Sequence, residues 1–191
     1  MIDLFLPVVE EDKLNPNFKH MMVHPSADPA RLMANRIFNE LPNPDGNFIE
    51  QFQTTGYDAR VFESYLFAYL SSGKYEINRD FETPDFIIKR SNIECTIEIT
   101  TTNPSARIPS TPMEKLTPEI IKGQLHDELP IRFGSALSSK LGKRYWELAQ
   151  CKGKPIVFAI EAFHEEGSLY HSDAALLQYL YGLRYSHEWS K

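Results

Sequence analysis

The chain has 191 residues. That is one domain, or one domain with an appended subdomain, and it is long enough to bury ~70% of the surface its unfolded form exposes. Apolar residues make up 42% and charged residues 24%, which excludes wholesale disorder, collagen and coiled coil. The formal net charge of −6, from 20 basic and 26 acidic residues, argues against a surface coated in positive charge for nucleic acid.

In chain order, residues 1–27 read as irregular, with Pro7, Pro16 and Pro25. Asp28-Pro29 reads as a cap and first helical residue. Leu32, Met33, Ile37 and Leu41 follow at helical spacing, so 29–41 is a helix ended by the turn residues LPNPDGN. Phe48 to Gly56 is ambiguous. A second helix runs from near Asp58 to Ser71 or Ser72, where Gly73 stops it, and residues 75–79 fit a strand. Two clear strands follow at 85–89 and 93–101. Residues 103–130 carry five prolines and read as a long loop or insertion with a short helix near 118–127. A third helix is expected over 135–149, a buried strand over 154–163, and a last helix from Ser172 or Asp173. This mixed order predicts an α/β fold with a central mixed sheet. The expected organisation is an N-terminal extension over 1–57, a core over 58–163 and a C-terminal helix over 164–191. The final His-Glu-Trp-Ser-Lys suggests continuation in a longer protein.

No membrane span is expected, because Val61–Leu70 and Ala174–Leu183 fall short of ~20 apolar residues. The opening MIDLFLPVVEEDK lacks the basic region of a secretory signal. Two cysteines, Cys95 and Cys151, make neither a disulfide framework nor a four-ligand zinc site, so a cytoplasmic chain with reduced thiols is expected.

The strand pair carries the chemistry. Ile93, Cys95, Ile97 and Ile99 alternate with Glu94, Thr96, Glu98 and Thr100, one apolar face and one polar. If Ser91-Asn92 is a two-residue turn, Arg90 pairs with Ile93. Phe86 then opposes Ile97, Ile88 opposes Cys95, Lys89 opposes Glu94, Ile87 opposes Thr96, and Asp85 opposes Glu98. Opposed side chains have Cβ atoms ~5 Å apart. Two carboxylates there repel unless a cation lies between them, and oxygen-only ligands favour Mg²⁺ or Mn²⁺. The alternative is two solvated acids. Glu63 is the only charge in the apolar helix segment 61–70, so it is expected to be buried. Its partner is either Arg60, or a lysine elsewhere, or the same metal, toward which it would point.

A helix bearing a Glu, then Pro-Asp opening a strand, then Glu-x-Lys on the next strand resembles the PD-(D/E)xK, restriction-endonuclease-like nuclease superfamily. Glu63, Pro84-Asp85 and Glu98-Ile99-Thr100 fill those places, and the element order αβββαβ matches residues 58–163. The chain departs from the pattern at Thr100, where the family has lysine. The resemblance implies hydrolysis of phosphodiester bonds in DNA by Mg²⁺ or Mn²⁺ held by Asp85, Glu98 and Glu63. It also implies a catalytic lysine supplied from the following helix. Lys140 is favoured over Lys143 for that role, at the edge of a stripe of Leu137, Leu141, Tyr145 and Leu148. Thr100 would contribute a hydroxyl. Because of Thr100, a catalytically inactive domain of the same fold, binding nucleic acid or protein, is the alternative.

Between Ile131 and Lys154 six basic residues stand against one acidic residue. This is either a solvated helix face or a phosphate-contacting patch, with Lys143, Arg144 and Lys152 as its nucleic-acid contacts. DNA is the partner expected, with a homodimer among the possible states. His20 and His24 have i,i+4 spacing, but Pro25 and the irregular context weigh against a helical zinc pair. His164-Glu165-Glu166 reads as a loop, Ser135 lacks a nucleophile elbow, and no glycine-rich phosphate loop is present. Tyr145 and Trp146 are expected in the core, and Thr101, Thr102 and Asn103 either end the strand or join the site.

Overall fold

A computed structural model describes residues 2–42, 44–102, 111–162, 168 and 172–183. Asn103, the His164-Glu165-Glu166 segment expected to be a loop, and the last eight residues lie outside them. The described residues form a mixed α/β structure in the order α1 (Pro16–Val23), α2 (Asp28–Glu40), α3 (Phe48–Gln53), α4 (Tyr57–Ser72), β1 (Glu76–Asn78), β2 (Phe86–Arg90), β3 (Ile93–Thr102), α5 (Pro118–Gly123), α6 (Leu129–Gly142), β4 (Ile156–Ala162) and α7 (Ser172–Tyr181). No helix among them is long and apolar enough to cross a membrane.

The strands form one sheet in the order β1-β2-β3-β4, with β2 antiparallel to both β1 and β3. The Thr96 N–H donates to the Pro155 carbonyl at 2.9 Å, and the Thr102 hydroxyl to the Glu161 carbonyl at 3.5 Å. Residue numbers rise together along both strands, so β3 and β4 are parallel and the chain between them is the crossover that a parallel pair requires. The chain divides into two compact units, Met1–Ile99 with Trp146–Val157, and Thr100–Tyr145 with Phe158–Lys191.

The first unit is built on aromatic packing. Phe18, Phe48 and Phe52 are fully buried, and Phe38 packs on Phe48 with ring centres 5.0 Å apart. Helix α1 corrects the irregular reading of residues 1–27. Asn15 caps it by accepting from the Asn17 and Phe18 amides, and Pro16 sits in the first turn, where its missing N–H is no loss. The segment ahead of it is pinned by side-chain amides. Gln53 is fully buried. Its Oε1 accepts from the Val8 amide and its Nε2 donates to the Leu4 and Leu6 carbonyls, each at 2.8 Å. Asn35 accepts from the Leu4 amide, and Asn39 exchanges two bonds with Ile2. Gln53→Ala removes three bonds at once and strands their partners. The expected loss is about 3 kcal/mol of unfolding free energy, read by urea denaturation.

In the second unit Leu129, Phe133, Ala162 and Ala175 form the core, with Ile160 and Leu176 packed against it. Two helix boundaries differ from expectation. The helix expected over 135–149 ends at Gly142, and upstream it joins α5 through one π-helical stretch, Gln124–Glu128. Arg144, at φ 53°, turns the chain out of the helix, and Tyr145 to Glu147 form a short 3₁₀ turn. Tyr145 is buried as expected, whereas Trp146 is 46% exposed. The Gln178 amide ties α7 to the π-helical stretch through both the His126 carbonyl and the His126 ring.

Candidate functional site

The β2–β3 hairpin has the register that alternation predicts. Phe86 pairs with Ile97, Ile87 with Thr96, Ile88 with Cys95, Lys89 with Glu94, and Arg90 with Ile93 across the Ser91-Asn92 turn. Ser91 takes φ 57°, as a tight turn requires. Phe86, Ile88 and Ile97 bury one face. On the other face Thr96 and Glu98 are buried too, so Glu98 does not line an open polar surface. The segment leading into β4 runs alongside β3. The Thr96 hydroxyl donates to the Pro155 carbonyl at 3.1 Å, the Lys154 ammonium meets Glu94 at 3.0 Å, and Cys151 is buried. Burial pushes the Cys151 thiol up, and the Glu98 charge adds to this. A Thr96 hydrogen bond and the Lys154 charge oppose it.

Strand β2 begins at Phe86, so Asp85 stands one residue ahead of it. The Asp85 Oδ2 accepts the Ile99 N–H at 2.7 Å. The side chain takes over where the backbone of β2 no longer pairs, and this brings the Asp85 carboxylate beside the residue that follows Glu98. The preceding Thr83 carbonyl accepts from the Gln150 amide at 2.5 Å, and Pro84 is buried. Gln150, far away in sequence, thus helps to hold the Pro-Asp step.

Glu63 is buried, as its surroundings in α4 predict, but it is already held. The Arg60 Nη1 meets its Oε2 at 2.6 Å, and the Arg79 Nη2 meets its Oε1. Arg60 also reaches Asp45 at 2.5 Å and lies 4.9 Å from the Phe48 ring centre. Burial disfavours the Arg60 charge, and Glu63 and Asp45 more than restore it. The Arg79 guanidinium lies over the Phe86 ring, 5.0 Å from its centre. Phe86 and Ile97 share one side of the sheet and Thr96 and Glu98 the other, so the Glu63 ion pair sits on the Phe86 side. The expected turn of Glu63 toward Asp85 is not found, because two guanidiniums hold both of its oxygens. Arg60 was legible as a neighbour on the helix; Arg79 was not. Among the described residues no three His, Cys, Asp or Glu side chains are grouped as a metal would need.

Thr100 is half-buried, two residues beyond Glu98 on the same side of β3. Lys140 is half-buried in the last turn of α6, in the second unit. The apolar stripe expected to carry it stops with the helix at Gly142, and Leu141 is 42% exposed. Lys143 is exposed with its ammonium 6.0 Å from the Tyr145 ring centre, and Arg144 and Lys152 are exposed.

Comparison with known proteins finds no matching family model, no matching curated protein and no matching solved structure.

Proposed function

We propose that the chain is a metal-dependent nuclease-like protein that hydrolyses phosphodiester bonds in DNA, with Asp85 and Glu98 as its metal-binding carboxylates. The observation that carries this reading is the Asp85 carboxylate bonded to the amide of Ile99, next to Glu98, at the end of a hairpin in the expected register. The order α4, β1, β2, β3, α6, β4 supports it, being the αβββαβ order of the PD-(D/E)xK resemblance. Two carboxylates suit a hard divalent cation such as Mg²⁺ or Mn²⁺. Once bound, such an ion lowers the pKa of its water and neutralises the phosphate. Asp85 and Glu98 orient the ion through their oxygens. Lys143, Arg144 and Lys152 offer exposed positive charge to the phosphate backbone without reading sequence. Glu63 is left out of the metal set, since its charge is spent on Arg60 and Arg79.

The alternative reading is a non-catalytic domain that binds nucleic acid or a protein. Glu63 held by two arginines, together with threonine at position 100, favours it. A cleavage assay on DNA with Mg²⁺ or Mn²⁺, against an EDTA control, separates the two. On the nuclease reading Glu98→Gln lowers metal-dependent cleavage by at least about a hundredfold. Lys140→Ala removes cleavage while circular dichroism shows the fold intact. DNA binding without cleavage in the wild type establishes the alternative.

A further inference from the structure

We infer that His20 and His24 form a two-imidazole site for a borderline transition-metal ion of the Zn²⁺, Ni²⁺ or Cu²⁺ class. It is separate from the carboxylates of the β2–β3 hairpin. The i,i+4 spacing counts for little in irregular chain, and the prolines on either side suggest irregular chain. The fold removes that objection. His20 lies in the last turn of α1, and His24 is the residue that caps it, its amide donating to the His20 carbonyl at 3.0 Å. One helical turn therefore puts both side chains on one face. Their rings lie over one another, with centres 4.8 Å apart and planes 26° apart. Both residues are exposed, so an ion has access without any rearrangement of the core.

The second neighbour of His24 is suited to a ligand. Its Nδ1 lies 2.8 Å from the Ser26 hydroxyl oxygen and 3.3 Å from the Ser26 amide. A metal-bound imidazole commonly donates its other ring N–H to an oxygen, which fixes its tautomer and orientation. With the proton on Nδ1 and donated to the Ser26 Oγ, the Nε2 lone pair is left for the ion. The weaker bond from the Ser26 amide is then given up. Ser26 is itself held by the turn Pro25–Ala27 that follows α1.

The charges around the pair do not oppose a cation. Arg31 bonds the His24 and Met21 carbonyls, and Asp28 balances it through an ion pair. Glu11 and Lys19 border the same groove as His20, one of each sign. Two imidazoles with the remaining positions left to water suit borderline ions, whereas Mg²⁺ prefers oxygen. The pair therefore differs from the hairpin carboxylates in the ion it selects.

The test uses the full chain and Cu²⁺, the tightest-binding ion of the divalent series. One equivalent of Cu²⁺ is expected to give an electron paramagnetic resonance spectrum with hyperfine coupling to two equatorial nitrogens. His20→Ala and His24→Ala each lose one nitrogen and weaken binding by at least about tenfold, and Ser26→Ala weakens it by about tenfold. Zn²⁺ raises the unfolding temperature of the wild type but not of either histidine variant. All three substitutions are at exposed positions, and circular dichroism of each variant checks the fold. Unchanged Cu²⁺ affinity and nitrogen coupling in both histidine variants would place the ion on other histidines and overturn the inference, as would the absence of any two-nitrogen signal in the wild type.

Discussion

Glu63→Ala is expected to lower the unfolding free energy by about 3–5 kcal/mol, the cost of removing one partner from a buried ion pair. The substitution leaves two guanidiniums out of water. Arg79 lies against Phe86 and loses its carboxylate partner, while Arg60 keeps Asp45, the Phe48 ring and a neutral contact with Gln51. Glu63→Gln keeps the shape and some hydrogen bonds but not the charge, so it should fall between the alanine variant and the wild type. Urea denaturation of both variants measures the effect, and the glutamine variant keeps the comparison valid if alanine prevents folding. Mn²⁺ affinity should not change in Glu63→Gln. A midpoint equal to that of the wild type would mean that the arginines find water or other partners. A loss of Mn²⁺ affinity would return Glu63 to the metal set.

Asp85 offers a sharper division between structure and chemistry. An asparagine at this position keeps an oxygen to accept the Ile99 N–H but removes the negative charge. Asp85→Asn should therefore cost less stability than Asp85→Ala, yet lower metal-dependent cleavage by at least about a hundredfold. Asp85→Ala leaves the Ile99 amide without that acceptor, and about 1–3 kcal/mol should be lost as well. Paired denaturation and cleavage measurements distinguish the outcomes. Full cleavage by Asp85→Asn would reduce the side chain to a cap on β3 and end the nuclease reading.

What the sequence made legible follows from where the information is local. The hairpin register was readable because period-two alternation and a two-residue turn admit one consistent pairing, and a slip by one residue turns Cys95 and Ile97 to the other face. Burial of Glu63 was readable from its apolar neighbours in α4. Its second counterion was not, because Arg79 reaches it from beyond the end of the helix. The prolines misled in the first 27 residues, where Pro16 opens a helix instead of breaking one. Tyr145 and Leu148 extended the apolar spacing past Gly142, but the positive φ of Arg144 ends the helix before them. Thr96 pairs with Pro155, more than fifty positions on, which no local pattern could reveal.

That same separation has a kinetic consequence. Strands β2 and β3 close over Ser91 and Asn92 alone, whereas Thr96 meets Pro155 across 59 positions. The entropy of closing the longer loop exceeds that of the hairpin by on the order of 3 kcal/mol. The sheet therefore grows outward in time as well as in space. The hairpin is expected to form early from nearby residues, with β4 joining once the intervening helices have shortened the path between the ends. That late closure is expected to limit the rate of folding, leaving one edge of the central strand unpaired until β4 docks.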